Sequence, residues 1–499
     1  MAIAVSNASV LERADRRALT DVLSIAARYA LLLPIIGLVV GVHVHTLGYY
    51  FFGDDFLVLG DVRANPFAHY MRDVVLLEDM TPNWRPLTMA VYYGEYRLFG
   101  FDATAWRIVN LVVHIATVAL LYELVLSMSK RVLLAATAAL VFGVSASSVH
   151  TVTYITALPH VLSELLLIGS LYALHRYVES GERRAGWYWA SLALYVSGFL
   201  ANEGGVVIGA VLLMYYALTS LPRRRDVLDF TAKMVPFALA GAVLVAGLAG
   251  SGRQGIDDGF YGLGWHIPRE TWVYLSWLAY PVGEIPLNPS ALEWTCGSIV
   301  AAAAIFFVVR GPNMARIAAV GMVIAIMPYA PGKIWTATRY TYMATPFFAV
   351  LIAVGAGFVH GRAVRLSRPL AHAFAAVALV TIGGLSAWQT IDQTQPFLHK
   401  TDRWELLAGE LRENYPEAPT GTTIYVIDDE GLWTNAFWQP TWMASVGRAL
   451  YGEDVRVRAV STPIWEGMQA GMTEPVYLVE YSEGHLRRVA PATVTQAPD

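Results

Sequence analysis

The sequence predicts an all-α polytopic membrane protein of about 11 transmembrane helices, followed by a small C-terminal α/β domain. Three observations predict it. The chain is 56% hydrophobic and only 15% charged, whereas soluble proteins carry about 25% charged residues. Apolar runs of the roughly 17 to 22 residues needed to cross a bilayer recur along it. That pattern stops near residue 389, and residues 390–499 read as short strands and helices instead. A net charge of −4 gives no footing for a nucleic-acid partner. The single cysteine, Cys296, excludes an intrachain disulfide.

The elements follow in order. A polar N-terminus carrying Arg13, Arg16 and Arg17 precedes the apolar run Ile25 to Val44, and His45-Thr46-Leu47 follows where a cleavage site would need small residues. That run reads as a retained anchor. Further spans are expected near 106–127, 132–148, 159–177, 187–202, 204–220, 230–250, 295–310, 317–331, 341–359 and 369–389. Basic residues fall in every second connection: Lys130-Arg131, Arg183-Arg184, Arg223 to Arg225, Arg310 with Arg316, and Arg362, Arg365 and Arg368. Such clusters mark the cytoplasmic side. The N-terminus is therefore expected inside, with the long loops 46–105 and 251–294 and the domain 390–499 outside. The aromatic stretch from Trp265 to Tyr280 is expected to lie in the membrane interface. In the C-terminal domain, Thr422 to Ile427, Val455 to Val460 and Val476 to Tyr481 alternate as strands do.

The first outer loop carries the strongest chemical signal. Tyr49, Tyr50, Phe51 and Phe52 form an aromatic belt directly before Asp54-Asp55. Two carboxylates at a membrane mouth are costly unless they have partners or work to do. A solvated loop pair is the bland alternative. Adjacent acids in a loop point in roughly opposite directions, so one is expected to face the cavity and the other to anchor the loop. Other polar residues gather at the outer ends of the spans: Arg85, Asn110, His114, His150, His160, Glu203, Lys333, Arg339 and Tyr340. His114 and Asn110 also read as interhelical hydrogen-bonders, and Glu203 as a hairpin cap. Acid on one wall and cations on the other suit a substrate with an anionic leaving group and a nucleophile to be deprotonated. An oxygen-ligand set for Mg²⁺ or Ca²⁺ would need more carboxylates than can be placed here, and no cofactor is implied.

An ordered series of motifs over residues 45–360 carries a resemblance. It comprises Phe52-Gly53-Asp54-Asp55, Trp84-Arg85-Pro86-Leu87-Thr88, Arg107 to His114, Phe142 to Leu162, Asn202-Glu203 and Arg339-Tyr340-Thr341-Tyr342. The chain resembles the GT-C superfamily of polyprenyl-phosphate-sugar-dependent glycosyltransferases, and most of all the membrane portion of bacterial relatives of the transmembrane-and-tetratricopeptide O-mannosyltransferases. The resemblance implies a GT-C-like fold. It also implies inverting transfer of a sugar, mannose or another hexose, to a protein, glycan or lipid acceptor on the periplasmic face of a bacterial inner membrane. By the same resemblance Asp54 and Asp55 are catalytic, with Asp54 favoured as the base, and Arg339 and Tyr340 sit near the lipid phosphate, where Arg85 and Lys333 are further candidates. The chain departs from that pattern at His150 and His160, where acids are common, at Asn202 and Thr338, and in lacking a tetratricopeptide array. A transporter or lipid flippase and an inactive scaffold are the alternative readings. No inverted repeat or matched pair of broken spans supports a transporter.

Overall fold

The computed structural model describes residues 28–76, 84–224, 227–250, 262–279, 290–333, 337–433, 439–452, 454–469, 477–482 and 484–489. Arg13, Arg16, Arg17, Arg225, Tyr280 and parts of the two long outer loops lie outside them, so the expectations placed there are not described.

Each expected span corresponds to a helix. The first is short, α1 (Leu32–His43). The first outer loop folds into α2 (Asp55–Ala64), α3 (Phe67–Leu76) and α4 (Pro86–Phe99). The bundle then runs through α5 (Ala103–Ser129), α6 (Val132–Gly143), α7 (Val149–Thr153), α8 (Leu158–Glu179), α9 (Ala185–Ala201), α10 (Ile208–Arg224) and α11 (Val227–Gly250). It closes with α12 (His266–Ala279), α13 (Ala291–Arg310), α14 (Asn313–Ile326), α15 (Thr345–Leu366) and α16 (Arg368–Asn414). Among the described residues seven helices are long and apolar enough to cross a bilayer, and α6 with the bent segment 146–153 makes an eighth. The chain is a multi-pass membrane protein.

Local chemistry sets several boundaries. Asp102 caps α5 by accepting from the Ala105 N–H at 3.2 Å, which satisfies one of the four free donors of a helix start. The expected tight hairpin after α9 forms because Asn202 Oδ1 takes the Gly204 N–H at 2.9 Å, turning the chain with almost no loop. Ser290 and Glu293 form a reciprocal capping box at the start of α13. Glu293 also accepts from Trp277 Nε1 at 3.1 Å. The second half of α12, Val273 to Leu278, is buried, with Trp277 tied to α13 and Tyr274 edge-on to Tyr340. Only Leu263 and Trp265 stand out, each 93% exposed.

The C-terminal part holds β1 (Thr423–Ile427), α17 (Gln439–Tyr451), β2 (Arg456–Val460), α18 (Thr462–Gln469), β3 (Tyr477–Ser482) and β4 (His485–Val489). The sheet order is β2-β1-β3-β4. β1 pairs in parallel with both neighbours, and the unforeseen β4 pairs antiparallel with β3. Two features bind this part to the bundle. α16 is one 47-residue helix that passes through residue 389 without a break. One apolar cluster also joins Phe51, Phe56 and Trp106 to Trp404, Val426 and Val446. The outer loop and the α/β domain thus share a core.

Candidate active site

The loop that carries Asp54 is fixed by buried polar ties. Arg107, fully inside α5, donates to three backbone carbonyls: Tyr49 at 2.9 Å, Tyr50 at 2.6 Å and Thr153. Asn110, almost one turn on, donates to the Tyr154 carbonyl at 3.0 Å. The arginine fork matches this task because it presents several donors in one rigid plane. It stitches residues 49–50 to the break between α7 and α8.

Asp55 completes the stitching. Its carboxylate accepts the Phe52 N–H and the Thr156 N–H, both at 3.1 Å, and it is 1% exposed. Burial pushes its carboxyl up to about 7, against the opposing pull of Arg107 and those two donors. The neighbouring acid diverges. Asp54 is half-buried, and its backbone N–H donates to Tyr154 Oη at 2.9 Å. Its Oδ1 accepts the indole N–H of Trp442 at 2.7 Å. Tyr154 stacks on Phe52 with ring centres 4.6 Å apart.

Arg339 closes the other wall. It lies on the helical turn Thr338–Thr341, with its guanidinium 5.8 Å from the Tyr154 ring centre and 5.3 Å from that of Tyr340. It is within electrostatic reach of Asp54. Tyr340 stacks on Tyr329 at 4.7 Å, and both rings lie 5.8 Å from His160. Asn202 Nδ2 donates to His160 Nδ1 at 3.1 Å. An unbroken run of contacts therefore links Asp54, Tyr154, Arg339, Tyr340, Tyr329, His160 and Asn202. His150 borders it, between the rings of Tyr154 at 5.5 Å and Phe397 at 5.3 Å.

The remaining expected residues sit otherwise. Arg85 gives its fork to Glu203, Nε to Oε2 at 2.7 Å and Nη2 to Oε1 at 2.6 Å. Thr88 Oγ1, donating to the Ala201 carbonyl at 2.8 Å, holds their two helix ends face to face. Lys333 is exposed, its stem against Gly262, and makes no contact with the run among the described residues. His114 is a buried connector: Nε2 donates to the Gly143 carbonyl at 3.1 Å, and Nδ1 lies 2.7 Å from Tyr342 Oη. Among the described residues no group of three or more His, Cys, Asp or Glu could hold a metal. Tyr154 and Trp442, which the sequence reading did not single out, both touch Asp54. Tyr154 lay inside a noted motif, but nothing local marks Trp442.

Fold and site together define a multi-pass membrane protein with one acid, one arginine and a tyrosine-histidine wall at a single end of its helix bundle. ArnT from Cupriavidus metallidurans in the apo state is similar in structure, at 12% identity and a TM-score of 0.51, over 91% of this chain and 93% of that one. AglB, the archaeal oligosaccharyltransferase of Archaeoglobus fulgidus, solved in complex with an inhibitory peptide and a dolichol-phosphate, is similar at 12% identity and a TM-score of 0.53. That match covers 88% of this chain and 65% of AglB. At this identity the likeness shows a fold shared with ArnT and AglB, and it does not single out an O-mannosyltransferase branch. No protein-family model matches the sequence, and no curated protein does.

Proposed function

We propose that this chain is a polyprenyl-phosphate-sugar-dependent glycosyltransferase working by inversion on the periplasmic face of a bacterial inner membrane. The observation that carries the reading is a half-buried Asp54 within electrostatic reach of Arg339, both touching Tyr154, in a fold shared with ArnT and AglB. The AglB neighbour was solved with a dolichol-phosphate, which supports a lipid-phosphate ligand for this chain.

In this reading the acceptor's nucleophile attacks the anomeric carbon from the face opposite the phosphate. Its proton passes to the Asp54 carboxylate as the bond from the anomeric carbon to the phosphate oxygen breaks. The electron pair leaves on that oxygen, where the Arg339 guanidinium stabilises the charge. Tyr340, stacked against Tyr329, orients Arg339. Asp55 acts on the loop and not on the substrate, because both its oxygens are engaged by backbone N–H groups. Arg85 acts as a strut with Glu203. The sugar is mannose or another hexose, and the acceptor a protein, glycan or lipid.

The test uses purified full-length protein and a panel of polyprenyl-phosphate hexoses. A general base contributes about 10² to 10⁴ in rate, so Asp54→Asn is expected to lose at least about a hundredfold in transfer while still binding undecaprenyl phosphate. Transfer by Asp54→Asn at the wild-type rate would remove the mechanism and promote the transporter reading.

A further inference from the structure

Asp54 is not held by the membrane bundle alone. Trp442, which grips its Oδ1, belongs to α17 of the C-terminal domain, and the contact is prepared from both sides. On the loop side Gly53 has φ +56°, and a Cβ there would lie 3.2 Å from Tyr154 Oη and 3.5 Å from the Trp442 ring. Glycine alone meets both demands without strain. On the domain side Trp442 packs edge-on to Trp404 of α16 at 6.3 Å. Trp404 in turn lies 5.5 Å from Phe56, two residues beyond Asp54.

The rest of α17 is clamped along α2. Arg448 Nη1 donates to Asp61 Oδ1 at 2.6 Å, and Arg63 Nη1 donates to the Ala449 carbonyl at 2.9 Å. Gly60 is the point of closest approach, since a Cβ there would meet Arg448 Cδ at 3.0 Å. Trp442 and Arg448 are nearly two turns apart, so the helix is held near both ends and its tilt over the loop is fixed. The two clamps differ in chemistry. Arg448 and Asp61 form an ion pair away from the run of site residues, whereas Trp442 meets the acid itself.

An indole N–H donates and cannot accept. It therefore fixes one oxygen of Asp54 and takes no proton from it. Among the described residues no hydrogen bond reaches the other oxygen, which is the one left to receive a proton.

We propose that Trp442 is a positioning residue, through which the C-terminal domain orients the Asp54 carboxylate, so that the site is complete only with α17 docked on α2. This rests on the reading of Asp54 as the base. It assigns the domain a part in the reaction rather than in anchoring or display.

Trp442→Phe keeps the ring and removes the N–H. In the full chain, a hydrogen bond to a charged group is worth about 1.5–3 kcal/mol, so kcat is expected to fall about tenfold or more, with the donor KM and undecaprenyl phosphate binding unchanged. Trp442→His, which restores a ring N–H, should recover part of the rate. Arg448→Gln leaves Trp442 intact but loosens the clamp, and should lower kcat by a smaller factor; it carries the test if Trp442→Phe does not fold. A wild-type kcat in Trp442→Phe overturns the proposal, and so does a fall that histidine does not rescue or that appears in the donor KM instead. With Trp442→Phe unfolded, a wild-type kcat in Arg448→Gln overturns it. Asp54→Asn, assayed in parallel, separates the two failures. If it is active, the base reading falls. If it is inactive while Trp442→Phe is normal, only the role of Trp442 falls.

Discussion

At the scale of single residues, the two arginines of the site have different work, although the sequence presents them alike. Arg85 spends its fork on Glu203, with side-chain exposures of 14% and 28%. Removing one partner of such a pair strands the other charge, at a cost of about 1–3 kcal/mol in a half-buried setting. Arg85→Met is therefore expected to lower the unfolding temperature, and adding Glu203→Leu to recover much of the loss. A thermal double-mutant cycle in detergent reads this as coupling, and additive losses would refute the strut. Among the described residues Arg339 forms no ion pair with a carboxylate, and its guanidinium lies 5.8 and 5.3 Å from the ring centres of Tyr154 and Tyr340. Arg339→Lys should leave the unfolding temperature in place and weaken binding of undecaprenyl phosphate several-fold, because a point charge cannot reproduce a planar fork. Equal binding by both proteins would remove that role. The acids were legible in the sequence because an aromatic belt against a carboxylate pair is rare. That the two side chains diverge was foreseeable from the alternation of adjacent residues, but nothing in the loop itself showed that Asp55 would be the buried one. That depended on the Thr156 N–H, 101 residues away. Trp442, at 388 residues' separation, left no local trace at all.

At the scale of elements, hydropathy located the membrane helices well because a lipid-facing helix must be apolar over its whole length. It served the outer loop poorly. The described part of the segment between α1 and α5 folds into α2, α3 and α4, and the apolar sides of α2 and α4 are buried against the domain and the bundle. α4 makes the point testable. Glu95 faces inward from it, 5% exposed, with neither oxygen hydrogen-bonded among the described residues. Burial pushes its carboxyl from 4.5 up to about 8. A raised value means that the folded state holds the proton longer than the unfolded one. Stability from this group is thus full below about 4.5 and is lost as pH rises toward 8. The difference between pH 5 and pH 8 amounts to about 3 kcal/mol. Glu95→Gln cannot ionise, so its unfolding temperature should fall less than that of the wild type between those pH values. Parallel slopes for the two proteins would show that Glu95 is charged in the fold.

At the scale of the whole molecule, the Trp442–Asp54 contact constrains topology independently of hydropathy. Residues 2.7 Å apart lie on one side of the bilayer, so the chain between them crosses it an even number of times. Seven long helices, all after Asp54 in the chain, would put them on opposite sides. Adding the bent pair formed by α6 and residues 146–153 restores parity. α9 and α14, at 17 and 14 residues, must then both cross or both stop short. The alternation of basic connections requires that both cross, since Arg223-Arg224 and Arg310 with Arg316 would otherwise fall on the wrong faces. This predicts ten crossings after Asp54, with α1 before it, and the acidic loop and the α/β domain together outside. The prediction is made in a Cys296→Ala background. A cysteine at the exposed Glu417, just past α16, should react with a membrane-impermeant maleimide in intact cells. A cysteine at the exposed Arg183, between α8 and α9, should react only after permeabilisation. Labelling of Arg183→Cys in intact cells, with protection of Glu417→Cys, would invert the chain and put Asp54 and Arg339 in the cytoplasm. Labelling of both would break the alternation before Arg183, leaving one of α5, α6 with 146–153 and α8 short of a full crossing, and parity would then require one helix after Arg183 to stop short as well.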